Sequence, residues 1–431
     1  MKKQLTSQFR DAGHLAKWLF ISIIVGLLVG SAVAWFLMGL EWAGNFRDNR
    51  MWILWLLPLG GLCIGLIYHY LGQNVVKGNN QLLDEIIQPK KIIPLRMAPL
   101  VALGTIATHL FGGSAGREGT GVQMGGAIAD QFSQIFKLDK DERRILIIAG
   151  VAAGFSAVFG TPLAGAVFAL EVYIIGRVQY QAILPAFLSA IIADQVCVQW
   201  KYPTVVTHTH YLHPEALALS PSTLFYTFLV AILFGWTAML FSKANHFWSD
   251  LFSKKISYPP LRPFIGGIVL ALAFWALGQT SVDFTKYVGL GVPVIEESFT
   301  QRMMPYDFAL KLLFTSFTLG AGFKGGEVTP LFFIGATLGS ALSFIIPLPL
   351  ALLAAIGFVG VFSGATNTPI ACTLMGIELF GAQIGIYLGL SCVVAYIFSG
   401  HSSIYSSQIL HHVKHPSLKD DQDKTLNDSN K

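Results

Sequence analysis

The sequence predicts an all-α, polytopic membrane protein made of two repeated halves, and three observations support this prediction. Hydrophobic residues make up 53% of the 431 residues and charged residues only 12%, about half of the charged share usual in soluble domains. Apolar stretches long enough to cross a bilayer recur from one end to the other. A spaced motif also occurs twice, once in each half.

The apolar stretches predict about ten membrane passes, since a hydrocarbon core of roughly 30 Å requires about 17 to 25 residues of helix. The clearest stretches are Trp18–Leu40, Trp52–Leu71, Ser222–Leu240, Phe264–Leu277 with its flanks, and Ile384–Phe398. The basic residues before the first stretch are Lys2, Lys3, Arg10 and Lys17. They predict a retained first helix with a cytoplasmic N-terminus. The expected location is a bacterial-type plasma membrane.

The net charge of +5 is explained by basic loops and gives no case for nucleic acid as a partner. The four cysteines stand singly in apolar stretches, so we expect packing residues and neither a metal site nor a redox motif. The histidine groups His208/His210 and His411/His412 are predicted to be solvated loop residues, with metal binding as the less favoured alternative. We expect no cofactor.

A motif that occurs twice in the sequence predicts the duplication. Phe155-Ser156, Thr161-Pro162 and Glu171 recur with identical spacing about 207 residues later as Phe362-Ser363, Thr368-Pro369 and Glu378. Upstream of each copy lies a charged, glycine-rich segment, at 112–126 and 320–336. Two related halves are the usual plan of a secondary transporter, whose site lies at the midplane where the halves meet. We interpret the repeated glutamates as structural, capping or pairing within the bundle.

The glycine-rich segments predict helix breaks that carry charges. Charged residues in apolar stretches are functional candidates by default, here Arg117, Glu118, Lys324 and Glu327. Glycine lets the backbone leave helical geometry, and the free N–H groups at the start of the next helix form an anion site. A carboxylate such as Glu118 can occupy that site in place of an anion and withdraw when it is protonated. This exchange would couple a proton to anion movement.

At these residues the sequence resembles the CLC family of anion channels and anion/proton exchangers. GREGT at 116–120 is similar to the family's GREGP element. The segment that begins at Gly78 is placed like the family's GSGIP element, and GGEVTP at 325–330 is similar to its GGIFAP element. The resemblance implies a fold of two inverted repeats with broken and re-entrant helices that meet at a central anion site. It also implies a homodimer with one pathway per subunit, Glu118 as the gating glutamate and Tyr405 as an anion-binding residue.

The departures from the family pattern resemble its fluoride-exporting subgroup. Asn79 stands where chloride members keep a serine, Val172 where chloride exchangers keep a proton-carrying glutamate, and Thr120 replaces the proline of GREGP. In that subgroup the glutamate of GGEVTP is functional, which carries over to Glu327. The resemblance therefore implies a fluoride/proton antiporter, and fluoride and protons as its substrates. The alternatives are a chloride channel or chloride/proton exchanger of the same fold. An intramembrane enzyme is disfavoured because neither a His-Glu-x-x-His nor a Gly-x-Ser-x-Gly motif occurs with a plausible partner.

The candidate site residues follow from these elements. Glu118 is predicted to gate and transfer protons, and Glu327 to couple proton and anion. The candidate anion-binding residues are Asn79, Gly116, Arg117, Gly119, Lys324, Val328, Thr329 and Tyr405. Lys324 has two open interpretations, as a partner of Glu327 or as a direct attractor of the anion. Phe332 and Phe333 are expected to pack, with ring edges toward fluoride as the alternative.

The predicted organisation has five parts. These are a cytoplasmic N-terminal segment (1–17), a first transmembrane repeat (18–205), a loop (206–221), a second transmembrane repeat (222–410) and a disordered cytoplasmic tail (411–431).

Overall fold

The computed structural model describes residues 2–200, 209, 211–414 and 422–429. The first half contains α1 (Lys2–Asp48), α2 (Leu57–Leu71), α3 (Asn79–Ile87), α4 (Met97–Leu110), α5 (Glu118–Asp130), α6 (Phe132–Ile135), α7 (Lys140–Phe159), α8 (Pro162–Glu171) and α9 (Ile183–Trp200). The second half contains α10 (Pro221–Lys255), α11 (Leu261–Leu277), α12 (Val292–Glu297), α13 (Asp307–Gly320), α14 (Val328–Leu342), α15 (Leu350–Thr366), α16 (Pro369–Phe380) and α17 (Gly385–Phe398), with α18 (Leu426–Ser429) near the end. Strands β1 (Ile174–Ile175) and β2 (Ile409–Leu410) form a small parallel pair.

The helices confirm an all-α membrane fold of two inverted repeats, but the lengths of the helices differ from the expected ten full passes. In the described part, four helical stretches are long and apolar enough to cross a bilayer: Gly13–Asp48, Met51–Leu71, Tyr180–Trp200 and Pro221–Lys255. Most of the other apolar helices have 10 to 17 residues. Hydropathy cannot separate a full pass from a shorter helix that is surrounded by protein, because both are apolar on every side.

Glycines allow the central helices of each half to cross backbone to backbone. A Cβ atom added at Gly125 of α5 would lie 2.1 Å from the carbonyl oxygen of Gly150 in α7, and one at Gly335 of α14 would lie 2.1 Å from that of Gly357 in α15. These crossings occupy equivalent places in the two halves. Small residues let membrane helices approach this closely and gain packing contacts.

Each of the two repeated glutamates, Glu171 and Glu378, caps the start of a helix in the opposite half. Glu171, at the end of α8, accepts hydrogen bonds from the backbone N–H groups of Ile370 (3.2 Å) and Ala371 (2.9 Å) at the start of α16. Glu378 near the end of α16 likewise accepts from Leu163 (3.0 Å) and Ala164 (2.7 Å) at the start of α8. Each carboxylate thus satisfies free N–H donors of the opposite half, an arrangement worth roughly 0.5–2 kcal/mol per helix start. This confirms the structural interpretation of both residues.

The ends of the chain differ from the expectation. Residues 2–17, expected as a separate segment, continue into α1 as one helix of 47 residues. Residues 411–414 and 422–427, expected to be disordered, are ordered against the domain: Leu410 receives a hydrogen bond from the N–H of Asp423 and donates its own N–H to Lys424. The cause is local, since β2 pairs with β1 and Leu426 is buried beside it. The remainder of the tail lies outside the described residues.

Two ion pairs identify the faces of the domain. Lys17 of α1 pairs with Glu142 at the start of α7, and Arg143 pairs with Glu85 of α3 at 2.9 Å. Lys17, the start of α7 and the helix α3 therefore lie at one face. Helix α1 runs for about 47 Å from Lys17 to its end, so Asp48 lies at the opposite face. The basic N-terminal segment predicts that the first face is the inner one, and the two faces are named inner and outer on that basis.

Candidate functional site

The two glycine-rich breaks meet at the centre of the domain. Gly116 and Gly326 exchange two backbone hydrogen bonds, with N···O distances of 2.6 and 2.8 Å, as an isolated antiparallel bridge. A Cβ atom at Gly116 would lie 2.9 Å from the carbonyl oxygen of Gly326. Each break leads directly into a helix start, α5 after the first and α14 after the second. The pairing thus brings two sets of free N–H groups to one point.

The Glu118 carboxylate occupies that point. Its side chain is 1% exposed, and Oε2 accepts hydrogen bonds from the backbone N–H of Thr329 at 3.0 Å and of Arg117 at 3.1 Å. The Thr329 hydroxyl donates to Oε1 in a short hydrogen bond. The carboxylate of one half is therefore bound at the helix start of the other half. A small anion would find the same donors in the same place.

Asn79 and Glu327 lie beside this carboxylate with unused acceptors. Gly78 has a φ of +57°, which favours glycine, and Asn79 begins α3 directly after it. A Cβ atom at Gly119 would lie 2.8 Å from Nδ2 of Asn79 and 3.7 Å from Oε2 of Glu327. Within the described residues, Oδ1 of Asn79 and Oε2 of Glu327 are buried without a hydrogen-bond partner. Unpartnered buried polar atoms in a native fold indicate an absent ion, water or proton.

An inner cavity of about 220 Å³ reaches this group from the inner face. Its lining includes the candidate residues Asn79, Lys324, Glu327 and Tyr405. Tyr405 is buried, and the cavity is shared by both halves. The structure therefore brings the inner candidates together in one cavity that is large enough for several water molecules.

Lys324 stacks on an aromatic ring that the sequence did not single out. Its Nζ lies 4.2 Å from the ring centroid of Tyr68, a cation–π contact. Among the ion pairs of the described residues, none joins Lys324 to Glu327. The side chain still lines the inner cavity, so its charge faces that space. Since no local signal connects Tyr68 to Lys324, only the fold could identify this contact.

An outer cavity of about 250 Å³ lies on the other side of Glu118. Arg117 lines it, and Nε of Arg117 is 3.6 Å from Oε1 of Glu118. The two cavities approach the carboxylate from opposite faces, as a pathway with a central gate requires.

Other residues noted in the sequence have structural places. The Thr120 hydroxyl lies 2.7 Å from that of Thr105, which ties α5 to α4. Phe332 stacks on Phe358 with ring centroids 3.9 Å apart. Val172 is buried, and its carbonyl accepts a hydrogen bond from Nε2 of Gln408. The sequence did not single out Gln408. Its side-chain amide contacts Val172, the position at which chloride exchangers keep a glutamate.

The histidine groups give no metal site within the described part of the chain, where no cluster of three or more ligand side chains occurs. His411 instead contacts Asp423 at 2.9 Å. His208 and His210 lie outside the described residues.

Comparisons with known proteins agree with this geometry. The family model for voltage gated chloride channels matches residues 60–400. A "chloride/fluoride channel protein" of Pseudomonas syringae pv. tomato is 49% identical over 403 residues, covering 93% of this chain and 88% of that protein. A crystal structure of a CLC-type fluoride/proton antiporter has a TM-score of 0.86 at 35% identity, covering 91% of this chain and 98% of that one. A slow cyanobacterial Cl⁻/H⁺ antiporter has a TM-score of 0.74 at 21% identity, covering 89% and 94% of the two chains, and shares the fold.

Proposed function

Because this chain belongs to the voltage-gated chloride channel family, the CLC family, we propose that it is a fluoride/proton antiporter that exports fluoride from the cytoplasm. The protein is a multi-pass membrane protein of a channel and transporter family. The proposal concerns the anion, the coupled proton and the residues that carry each of them.

One observation carries the proposal: the Glu118 carboxylate accepts the hydrogen bonds of Thr329 at the start of α14. As an anion, the carboxylate is stabilised there by charge-assisted hydrogen bonds and by the positive end of the helix dipole. Protonation removes the charge, and the neutral acid then competes poorly with fluoride for the same donors. Each exchange of the carboxylate for fluoride is therefore accompanied by the binding or release of a proton.

When the Glu118 carboxylate has left its site, fluoride bound there is expected to accept hydrogen bonds from strong donors. We assign to the anion the hydroxyl and N–H of Thr329 and the Nδ2 amide of Asn79, which points at Gly119. The backbone at Gly116, Arg117, Gly119 and Val328 and the Tyr405 hydroxyl complete the proposed set. Lys324 attracts the anion into the inner cavity without a fixed ion pair, so the anion can also leave.

Glu327 is the proposed inner proton carrier. Val172 cannot carry a proton, and Gln408 beside it has no titratable proton. Glu327 lines the inner cavity and has an unpartnered, buried Oε2 atom, so protons from the inner face can reach it through cavity water. The names of the similar proteins support fluoride as the anion, as does the amide of Asn79 in place of a serine.

The experiment that tests this function is an efflux assay with proteoliposomes. Vesicles loaded with equal fluoride and chloride are expected to lose fluoride far faster, and an imposed inward proton gradient is expected to drive fluoride out against its own gradient. A fluoride electrode, a chloride electrode and an external pH electrode follow the three ions. Faster loss of chloride would contradict fluoride as the substrate, and fluoride loss without proton movement would favour a channel.

We further propose a homodimer with one pathway per subunit. The Gly116–Gly326 bridge and the hydrogen bonds from Thr329 to Glu118 join the two halves of one chain, so each subunit holds a complete pathway. Light scattering of the solubilised protein is expected to give twice the chain mass of 46.9 kDa, and a mass of one chain would refute the dimer.

A further inference from the structure

The outer cavity contains a group of charged residues that the proposed exchange does not use. Its charged lining residues are Glu41, Arg47, Asp48, His109 and Arg117. Among these, only Arg117 belongs to the signature segment at the gate. His109 is the last but one residue of α4 and is 2% exposed. A buried titratable side chain at the mouth of an ion pathway requires a physical account.

Both ring nitrogens of His109 face carbonyl oxygens, an arrangement that only a doubly protonated ring satisfies fully. Its Nδ1 lies 2.8 Å from the carbonyl oxygen of Thr105, and its Nε2 lies 2.9 Å from that of Ala115. Both partners can only accept a hydrogen bond. Neutral imidazole has one N–H, so one ring nitrogen would direct its lone pair at a carbonyl oxygen. Imidazolium donates at both nitrogens and satisfies both carbonyls.

Two other cations, Arg47 and Lys311, lie near His109. From α1, Nη1 of Arg47 donates to the carbonyl oxygen of His109 at 2.8 Å. From α13, the buried Nζ of Lys311 donates to the carbonyl oxygen of Gly289 at 2.7 Å, and a Cβ atom at Gly289 would lie 2.5 Å from Nη1 of Arg47. From the second glycine-rich break, Lys324 contacts α4 at Gly104, further toward the inner face. An added charge on His109 is therefore costly without a nearby anion.

Carboxylates partly offset these cations. Asp48 accepts from Nε and Nη2 of Arg47 at 2.9 and 2.7 Å. Arg117 faces Glu118 at 3.6 Å. Glu41 lies on the cavity wall and is exposed. On the cavity wall, the two positive charges of Arg47 and Arg117 equal the two negative charges of Glu41 and Asp48. The net charge of the lining is therefore zero when His109 is neutral and positive when His109 is protonated.

We propose that the outer cavity is a second anion site, which holds a small halide when His109 is protonated and releases it when His109 is neutral. Anion binding and protonation of the ring support each other, because the anion offsets the repulsion from Arg47 and Lys311. The site lies on the exit side of Glu118. The identity of its physiological anion as fluoride rests on the proposed function, whereas the site itself rests on the cavity and the contacts of His109.

The test is calorimetric titration of the purified full chain with sodium fluoride at pH 6 and pH 8. It uses a Glu118→Gln background, which prevents proton uptake by Glu118 from contributing. At pH 6 we expect a binding event with net proton uptake, measured from the heats in two buffers of different ionisation enthalpy. At pH 8 the same event is expected to be at least about tenfold weaker, since the positive charge of the ring, which attracts the anion, is lost.

Three further substitutions in that background separate the explanations. His109→Gln is expected to remove the proton-linked event. Glu41→Gln removes one negative charge from an exposed residue of the cavity wall. The lining then has a net positive charge even when His109 is neutral, so this variant is expected to bind fluoride at pH 8. Arg50→Gln is the matched control, because Arg50 stands three residues after Arg47, packs on the ring of Phe46 and does not line the cavity. It is expected to leave the event unchanged.

The proposal is overturned if fluoride binding is equal at both pH values, if it persists with its proton uptake in His109→Gln, or if Arg50→Gln weakens it as much as His109→Gln does. Should the efflux assay show chloride as the transported ion, the same titrations with sodium chloride would still decide the site. Failure of the exchange and failure of the outer site are therefore separate outcomes.

Discussion

Glu118→Gln is expected to abolish proton movement coupled to fluoride while the fold remains intact. Glutamine has nearly the shape of glutamate, and its Oε1 can still accept from the hydroxyl or N–H of Thr329. It has no charge and no proton to exchange. Charge-assisted hydrogen bonds are about twice as strong as neutral ones, so the amide also competes less well with the anion for the site.

The measurement is proton uptake driven by an outward fluoride gradient in proteoliposomes, followed with a pH electrode. Glu118→Gln should fall to the level of protein-free vesicles. Glu297→Gln is the matched control, since Glu297 is an exposed acid at the end of α12 and lines neither described cavity of the pathway. It should transport as the unmodified protein does. Undiminished proton uptake by Glu118→Gln would refute its role as the gate.

Glu327→Gln is expected to stop coupled transport from the inner side without removing the anion site. The substitution keeps the size of a side chain whose Oε2 is buried without a partner in the described structure, but an amide cannot release a proton to the inner cavity. The donors at Thr329 and Asn79 remain. Loss of coupling together with retained fluoride binding is the result that distinguishes a proton carrier from a structural residue.

Two measurements check this prediction: fluoride-driven proton uptake, which should fall to background, and calorimetric fluoride binding, which should stay within about threefold of the unmodified protein, or about 0.65 kcal/mol. Asp250→Asn provides the control, because Asp250 is an exposed acid on α10 at the inner face, outside the inner cavity. If proton uptake persists in Glu327→Gln, the inner proton must enter by another route, and the assignment of Glu327 fails.

The roles proposed for the two glutamates depend on their different surroundings. Glu118 is held by three hydrogen bonds at a helix start, whereas Glu327 precedes α14, lines the inner cavity and has an oxygen atom without a hydrogen-bond partner. A carboxylate that must leave a site needs donors which an anion can take over. A carboxylate that relays protons needs contact with water. The spacing of the two residues in the chain contains no information about this difference.

Several features could be predicted from particular residues. Charges beside glycines in apolar sequence made Glu118 and Glu327 functional candidates, because burying a charge in a membrane is costly. The structure places both near the meeting point of the two breaks, and their roles stay predictions. The repeated spacing to Glu171 and Glu378 predicted a structural role, either capping or pairing, and the structure shows that both residues cap helices. Each of these signals is local or depends on comparing one half with the other.

Other features could not be predicted, because they depend on contacts between distant parts of the chain. The donor to Glu118 is Thr329, 211 residues away, and Lys324 stacks on Tyr68 rather than pairing with Glu327. The tail was expected to be disordered from its polar composition, yet a strand pair and one buried leucine order part of it. His109 gave no signal, since one histidine in an apolar helix has no distinctive pattern.

By itself, the sequence determined that the protein is a helical membrane protein of two repeated halves, with glycine-rich breaks that carry a glutamate each. Composition, glycine content and repeat spacing are properties of the chain that need no partner. Only the tertiary structure decided where those breaks meet, that each half caps the other, and that a histidine lies between two carbonyl oxygens at the outer mouth. These are distances between residues far apart in sequence, and they exist only after the two halves have packed together.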